Sequence, residues 1–289
     1  MKKQIIDFIS YLKIERNYAI NTQRAYERDL LQLLDFLKVQ KISSWQALDT
    51  DNLNLFVMQL RHNNISSRSI RRYLSSIKGL LTYLVNHGEL EHNCAVQLRT
   101  PKIAQTLPDT LTYDQLLMML KPQKTSRFEQ RDVCIIEVIY SCGLRVSELV
   151  NLNVSDVDLS QGFLSVLGKG GKMRYTPLGD SAIKAIKCYL HKHQASALFV
   201  NKSGDRIGVR ALQNMIKKRA LTAGIKVNVH PHMLRHAAAT HFLQSSHDLR
   251  STQEFLGHAS IKSTQVYTHL DFLELSKVYD KCHPRAKKP

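Results

Sequence analysis

Residues 228–270 read NVHPHMLRHAAATHFLQSSHDLRSTQEFLGHASIKSTQVYTHL, and this stretch decides how the rest of the chain is interpreted. Among its polar side chains, two imidazoles, a guanidinium and a phenol stand out beside helix-forming apolar residues. These four residues are His232, Arg235, His258 and Tyr267. Because His232 and Arg235 are three positions apart, a helix that begins after Pro231 brings them to the same face. We expect that face to form one side of a site.

Two further cationic residues lie upstream of this stretch. Arg145 follows a glycine break in SCGLRVSEL, and Lys169 lies between two glycines in LGKGGKMRYTPL. Glu148 is within helical reach of Arg145, which is compatible with a surface ion pair or with a carboxylate that orients an arginine toward a phosphate. Lys169 is compatible with a solvated turn or with a long side chain that reaches a bound molecule.

These residue types together suit the attack of a tyrosine on a phosphodiester without a metal ion. Negative charge grows on the nonbridging oxygens during attack, and Arg145 and Arg235 offer permanently charged, two-pronged donors for it. A free phenol has a pKa of ~10, so a cationic site is expected to favour the phenolate of Tyr267. Tyr267 is therefore the candidate nucleophile.

Proton transfer in this scheme falls to three other residues. The leaving 5′ oxygen needs a proton, for which Lys169 is the best acid, while His232 can act as a base or bind the phosphate. His258 can supply a further hydrogen bond. The i, i+4 pair His232 and His236 is also compatible with zinc, but there is no HExxH motif, nearby cysteine or third ligand. The sequence therefore predicts no metal and no cofactor.

The chain is strongly basic. Its 289 residues include 41 Lys and Arg against 24 Asp and Glu, a formal net charge of +17. An excess of this size favours a polyanionic partner, above all nucleic acid. Residues before and after Gln105 share the excess, so both parts of the chain are expected to face the same phosphate backbone.

Targeting and redox signals point to the cell interior. The five cysteines form no CxxC pair and are predicted to be reduced core residues. Asp7 interrupts the apolar run at the start, which argues against a signal peptide, and no apolar run approaches the ~18 residues of a membrane span. The sequence predicts a cytoplasmic, nucleoid-associated protein with no membrane partner.

Residues 1–100 show helical periodicity and are predicted to form a domain of four or five helices. The second helix is expected to start from a cap at Asn21-Thr22, and the third from Asp49. The polar faces of the second and fourth helices are basic, which fits either phosphate contacts or solvated faces. The residues in question are Arg24, Arg28, Arg68, Arg71, Arg72 and Lys78.

Residues 101–109 contain two prolines and lack sustained periodicity, which predicts a linker to a second domain at 110–289. Within that domain the period changes between residues 154 and 178 to short β-type runs divided by glycine turns. These predict a three-stranded antiparallel sheet with Lys169 at its second turn. Lys172 and Arg174 beside the turn are expected to contact the DNA backbone. The fold class is mainly α in two domains, the second of them α+β.

At these residues the chain resembles the tyrosine recombinase, or phage integrase, family. The matching stretches are GLRVSEL, GKGGKMRYTPL, HMLRH with ATHFL, LGH and TQVYTHL, while NTQRAYERDL and SIRRYLSSIKGLLTYL resemble the family's SAM-like core-binding domain. The resemblance covers nearly the whole chain. It implies an active-site set of Arg145, Lys169, His232, Arg235 and His258, with Glu148 supporting it and Tyr267 forming a 3′-phosphotyrosyl bond to DNA.

The ending, YTHLDFLELSKVYDKCHPRAKK, is most similar to family members that resolve chromosome dimers at cell division. This implies strand exchange through a Holliday junction at a double-stranded DNA recombination site, in a heterotetrameric synapse with a XerD-like recombinase. It also implies control by a septal DNA translocase of the FtsK type, and docking of the segment after Tyr267 on a neighbouring subunit. A mobile-element integrase with the same chemistry and a DNA-binding protein without catalysis are the alternatives.

Overall fold

The structure is a computed structural model that describes residues 1–101, 110–122, 128–168, 171, 173–191, 195–257 and 269–286. Its contacts divide the chain into two units, Met1–Leu107 and Pro108–Pro289, and each unit has its own apolar core. From residue 102 on, the predicted linker lies outside the described residues. No helix in the described ranges is long and apolar enough to cross a membrane.

The first unit is a bundle of helices, as the periodicity predicts. Its helices within the described residues are α1 (Lys2–Ile14), α2 (Ile20–Val39), α3 (Thr50–His62) and α4 (Ser67–Asn86). Each presents an apolar stripe to a common core, because its buried residues recur at helical spacing. The clearest stripe belongs to α4 and consists of Ile70, Tyr73, Leu74, Ile77, Leu80, Leu81 and Leu84.

One predicted helix start in this unit is confirmed and another is wrong. Asp49 caps α3, since its carboxylate accepts a hydrogen bond of 2.7 Å from the backbone amide of Asn52. The expected cap of α2 at Asn21-Thr22 is not used. Instead α2 begins at Ile20, because the carbonyl of Ala19 already accepts the first hydrogen bonds of the helical turn.

The second unit combines helices with one small sheet. Its elements are α5 (Tyr113–Leu120), α6 (Glu129–Cys142), α7 (Val146–Asn151), β1 (Val157–Asp158), β2 (Phe163–Leu167), β3 (Met173–Pro177), α8 (Asp180–Leu190), α9 (Val209–Thr222), α10 (Pro231–Ser246), α11 (Leu249–Leu256) and α12 (His269–Cys282). The strands pair antiparallel in the order β1-β2-β3, which confirms the predicted sheet. Alternation turns Arg174 and Thr176 of β3 inward and leaves Met173 and Tyr175 exposed.

Helix α6 is the central element of the second unit. It is buried along most of its length and contacts α5, α8, α9, α10 and β3. It ends at Gly143, whose φ of +56° lies in the left-handed region that favours glycine. This break redirects the chain and places Arg145 at the beginning of α7.

The C-terminal segment folds onto its own unit. Leu275 and Tyr279 of α12 are buried in the same core as α6 and α10. Beyond α12, Arg285 binds the buried carboxylate of Glu137 on α6, and the carbonyl of Ala286 accepts a hydrogen bond of 2.8 Å from the first amide of α8. Leu275 and Tyr279 of α12 thus pack within their own unit, and docking of the segment after Tyr267 on a neighbouring subunit stays a prediction.

Candidate active site

Glu148 lies at the centre of the candidate site. It is the third residue of α7 and only 6 % exposed. Arg145, at the N-cap of α7, donates to it twice: the backbone amide to Oε2 and Nη1 to Oε1, each at 2.8 Å. The structure thus contains the contact expected from their spacing. Because 36 % of the Arg145 side chain remains exposed, this arginine is held in place and still accessible.

Arg174 binds the same carboxylate from the inner face of β3. Its Nη1 lies 2.8 Å from Oε1 of Glu148 and its Nη2 lies 2.9 Å from Oε2, a bidentate ion pair. The residue is 5 % exposed. The structure does not favour the expected contact of Arg174 with the DNA backbone, because strand alternation turns its side chain into the interior.

Arg235, near the start of α10, joins the ends of two helices to Glu148. Its Nη1 donates to the carbonyl of Gly143 at the end of α6, and its Nη2 donates at 2.6 Å to the carbonyl of Leu256 at the end of α11. Helix C-termini carry partial negative charge and stabilise a cation placed there. Nη1 also lies 3.7 Å from Oε2 of Glu148. We call Glu148, Arg145, Arg174 and Arg235 the Glu148 cluster.

The Glu148 cluster carries more positive than negative charge. Burial alone would raise the pKa of Glu148, but the hydrogen bonds and charges of Arg174 and Arg145 outweigh it and lower that pKa to about 2. Burial, followed by the charge of Arg145, lowers the pKa of Arg235 to about 10, so this group stays charged at neutral pH. Three guanidinium groups thus share one carboxylate, and two positive charges within the cluster are uncompensated. This arrangement favours the binding of an anion.

His232 lies at the exposed start of α10, one helical turn before Arg235. Partial burial, then the charges of His230 and Arg235, lower the pKa of its imidazole. The ring is therefore neutral at neutral pH and can accept a proton. Sequence reasoning missed His230, whose Nδ1 accepts a hydrogen bond of 3.2 Å from the backbone amide of Met233. Its position directly before a proline at a helix start was the available signal.

Four predicted site residues lie outside the described residues: Lys169, Lys172, His258 and Tyr267. The chain that leads to His258 is described up to Gly257, the left-handed residue that ends α11, with φ +62°. A Cβ at Gly257 would lie 2.6 Å from Nε of Arg174. The end of α11 therefore lies directly against the Glu148 cluster.

The basic residues expected on α2 and α4 divide into two groups. Those with exposed side chains are Arg24, Arg28, Arg68 and Arg71. Arg72 instead donates two hydrogen bonds of 2.8 Å to the buried carboxylate of Asp29. Lys78 binds the carbonyls of Val96 and Leu98 at 3.3 and 3.2 Å. Arg72 and Lys78 thus have partners inside the unit, which does not favour their expected phosphate contacts.

The other histidines of α10 fit packing. Nδ1 of His241 lies 2.8 Å from the hydroxyl of Tyr140, and its ring lies edge-on to Tyr113. His236 is half-buried. Within the described ranges, no group of three or more His, Cys, Asp or Glu side chains is arranged to hold a metal ion.

Two protein-family models match the chain. The phage integrase family model matches residues 109–274, and the model of the phage integrase N-terminal SAM-like domain matches residues 5–88. Curated relatives include a tyrosine recombinase XerC of Pseudomonas fluorescens, which is 43 % identical over 294 residues covering 100 % of this chain and 98 % of the relative. A tyrosine recombinase XerC of Pseudomonas aeruginosa is 42 % identical over 297 residues, covering 100 % and 97 %.

Solved structures share the fold. XerH site-specific recombinase bound to a palindromic difH substrate matches with a TM-score of 0.70 and 25 % identity, covering 92 % of this chain and 81 % of that one. A lambda integrase dimer bound to a COC′ core site matches with a TM-score of 0.71 over 91 % of this chain and 98 % of that one; at 15 % identity this likeness shows the fold alone. The relatives and family models together span both units. The chain therefore belongs to the phage integrase family of tyrosine recombinases, and it is a site-specific recombinase of the XerC type.

Proposed function

We propose that this recombinase cuts and rejoins DNA through a 3′-phosphotyrosyl bond formed by Tyr267, and that it resolves chromosome dimers at cell division. The observation that carries the proposal is the Glu148 cluster, in which three arginines share one carboxylate and two positive charges are uncompensated. A phosphodiester under attack gains negative charge on its nonbridging oxygens. Arg145 and Arg235 bind those oxygens and replace the metal ion used in other phosphoryl-transfer sites.

The cleavage step uses one nucleophile and two proton-transfer groups. The phenol oxygen of Tyr267 bonds to phosphorus while the bond from phosphorus to the 5′ oxygen breaks. The phenol proton passes to His232, whose lowered pKa supports this role as a base. Lys169 gives a proton to the departing 5′ oxygen, and His258 donates a further hydrogen bond to the phosphate.

The phosphotyrosyl bond conserves the energy of the phosphodiester. The 5′ hydroxyl of a second DNA strand attacks it in the reverse sense and releases Tyr267. No nucleotide cofactor is consumed. Two subunits each exchange one strand, which converts the DNA into a Holliday junction. A second round of cleavage then completes recombination.

Both units are assigned to DNA binding. Residues 1–100 form the core-binding domain, residues 101–109 the linker and residues 110–289 the catalytic domain. Phosphate contacts position a protein on the duplex and make its affinity salt-dependent. The residues assigned to such contacts are Arg24, Arg28, Arg68, Arg71 and Lys172.

The partners are proposed by analogy with the XerC-type relatives, which match the chain over its whole length. XerH, at 25 % identity, is described as bound to its difH substrate in pre- and post-cleavage complexes. By analogy this chain acts in the cytoplasm, at the nucleoid, on a double-stranded recombination site. We assign it a XerD-like recombinase as its partner in a four-subunit synapse, and a septal translocase of the FtsK type as its regulator.

A covalent trapping assay tests the proposal. The target duplex is selected by binding from a random-sequence library, with the XerD-type protein of the same genome present, and is then nicked so that cleavage releases a short fragment. Wild-type protein is expected to give a protein–DNA adduct on denaturing gels, with or without EDTA. Tyr267→Phe is expected to bind the duplex and give no adduct. The control Tyr175→Phe changes an exposed tyrosine of β3 and is expected to keep both properties.

Three outcomes would count against parts of the proposal. Tight binding with no adduct, in the presence of the partner, would indicate a DNA-binding protein without catalysis. Loss of the adduct in EDTA would indicate a metal-dependent reaction. Efficient recombination without any XerD-type protein would favour a mobile-element integrase over a chromosome-dimer recombinase.

A further inference from the structure

We propose that Arg174 is a positioning residue for strand cleavage, which holds the β2–β3 hairpin, helix α7 and the end of α11 in one arrangement without itself touching DNA. The proposal rests on the active site assigned above. It differs from the sequence-based expectation, which made Arg174 a contact to the DNA backbone. Three connections that Arg174 makes within its unit support this positioning role.

The first connection is to the hairpin. Arg174 is the second residue of β3 and is paired with Val166 of β2, so its position determines the register of the two strands that lead to Lys169. Its neighbours Met173 and Tyr175 are exposed, whereas Arg174 is buried. Arg174 therefore anchors the polar end of this hairpin to the interior of the unit.

The second connection is to α7. Arg174 donates to both oxygens of Glu148, which fixes the direction of the carboxylate as well as its distance. The same two oxygens accept from the side chain and the backbone amide of Arg145. The orientation of Arg145 toward a bound phosphate thus depends on the Glu148 carboxylate, which Arg174 also holds in place through two hydrogen bonds.

The third connection is to the end of α11. A Cβ at Gly257 would lie 2.6 Å from Nε and 2.7 Å from Cδ of Arg174, so only a glycine allows this approach. The preceding residue, Leu256, supplies the carbonyl that binds Arg235. Gly257, the residue before His258, therefore packs directly against the Arg174 side chain.

Arg174 is poorly placed to bind DNA itself. It is 5 % exposed, and both its terminal nitrogens are bonded to Glu148. Arg145 keeps 36 % of its side chain exposed. Removal of Arg174 is therefore expected to slow cleavage by misplacing other groups and to leave the affinity for DNA largely unchanged.

The experiment compares Arg174→Met and Arg174→Lys with wild type on the nicked duplex, at saturating protein and in a single turnover. Arg174→Met is expected to slow adduct formation about 100-fold, the usual effect of displacing reactive groups by about 1 Å. Its dissociation constant, and the dependence of that constant on salt, are expected to stay within twofold of wild type. Arg174→Lys keeps the charge but not the fork, and it is expected to restore part of the rate.

Arg219→Gln is the matched control. Arg219 of α9 is also buried and binds the carboxylate of Glu129 through two hydrogen bonds of 2.8 and 2.7 Å. This variant is expected to lose stability and keep its cleavage rate. The comparison separates positioning from a general loss of folding energy.

A pH profile adds a readout that a purely structural role would not move. Wild-type Glu148 stays ionised down to a pKa of about 2, although burial opposes ionisation. Without Arg174, fewer hydrogen bonds and charges counteract the effect of burial, and the pKa of Glu148 rises. Below the pH at which His232 becomes protonated, the cleavage rate of Arg174→Met is therefore expected to fall more steeply on acidification than that of wild type.

The outcomes distinguish the possibilities. A wild-type cleavage rate in folded Arg174→Met would overturn the inference. A normal rate with a salt slope reduced by about 1 would make Arg174 a direct phosphate contact instead. If Arg174→Met does not fold, Arg174→Lys, which keeps the charge but not the fork, must still slow cleavage relative to wild type for the inference to stand. If wild type itself forms no adduct, it is the proposed active site that fails.

Discussion

Arg285 binds Glu137 through two hydrogen bonds of 2.9 and 2.8 Å, which joins the end of the described chain to the middle of α6. Glu137 is 2 % exposed and also accepts a hydrogen bond of 3.1 Å from Ser141. The same C-terminal segment crosses directly over Gly179, where an added Cβ would clash with the carbonyl oxygen of Arg285. The segment is therefore seated in its own catalytic unit by both an ion pair and close packing.

Gly179→Ala is expected to displace this segment. The φ of Gly179 is −70°, so alanine adds no backbone strain and acts only through the clash. Amide hydrogen exchange in the last turns of α12 should become faster while α6 stays protected. Gly208→Ala is the control, because Gly208 also caps a helix at an ordinary φ of −84° but has open space around it. Equal protection of α12 in the two variants would contradict the packing described here.

Arg285→Gln tests the ion pair rather than the packing. It leaves the buried carboxylate of Glu137 without its cation, and the free energy of unfolding is expected to fall by about 2–4 kcal/mol. Arg285→Lys keeps one charged contact and should lose less. Chemical denaturation measures both, and a loss no greater for glutamine than for lysine would argue against the pair.

Glu148→Gln is expected to disturb both stability and catalysis. The change removes the carboxylate of the Glu148 cluster and leaves three guanidinium groups facing one another, at a cost of about 3–5 kcal/mol. Adduct formation should fall at least about 100-fold because Arg145 and Arg235 lose their common partner. Glu129→Gln, in the pair with Arg219, is the control and should cleave normally.

The same carboxylate predicts a pH dependence of stability. The pKa of Glu148 is about 2 in the folded chain against an ordinary 4.5. A depressed carboxyl pKa adds stability that is present above the unfolded value and is lost as the pH falls from about 4.5 toward 2. Denaturation curves at a series of acidic pH values should show this loss in wild type and a smaller one in Glu148→Gln.

Gly143→Ala tests the break between α6 and α7. Alanine at a φ of +56° is strained by about 1 kcal/mol, and its Cβ would also lie 2.9 Å from the ring of Phe255. Gly204→Ala separates the two effects, because Gly204 has a φ of +88° with nothing within 4 Å. Denaturation should show a clearly larger loss at Gly143, and only that variant should cleave slowly.

Protonation of His232 is expected to set the acid limb of the pH–rate profile, that is, the fall of the cleavage rate at low pH. Partial burial and neighbouring positive charge lower its pKa below the ordinary 6.5, and a base must be neutral to accept a proton. The rate should therefore stay level on lowering the pH through 6.5 and fall only below it. His230→Asn keeps a capping side chain but removes one of those charges, so the limb should move to higher pH. A wild-type rate that already falls above pH 6.5 would exclude His232, with its lowered pKa, as the base.

Arg71 and Arg72 are neighbours with different expected roles. Arg71→Ala should weaken DNA binding and reduce the salt slope by about 1, with no loss of stability, because its side chain is exposed. Arg72→Ala should instead reduce stability by about 1–3 kcal/mol, since it leaves Asp29 buried without its cation. Anisotropy titrations at several salt concentrations and urea denaturation distinguish the two.

Local patterns predicted the helix type of α4 and the small sheet within the described residues. The apolar stripe of α4 and the glycine turns around β2 and β3 correctly predicted a helix and a sheet, because both depend on residues close in sequence. The cap of α2 was missed since a backbone carbonyl, from Ala19, replaced the expected side chain.

The polar contacts of the site were only partly predictable. The pair Arg145 and Glu148 follows from helical spacing, and the structure contains it. Arg174 could not be assigned in the same way, because a strand position does not reveal which buried carboxylate it will meet. The partner of Arg72 could not be foreseen for the same reason, as Asp29 lies on another helix.

The sequence by itself determined the type of each element and the identity of the family, because periodicity, turn residues and motif order are properties of the chain. Tertiary structure alone decided that Arg145, Arg174 and Arg235, from three separate elements, meet at Glu148. It also decided that the C-terminal segment lies on its own unit. Ion pairs between distant residues depend on how helices and strands pack, and packing is a property of the whole core rather than of any stretch.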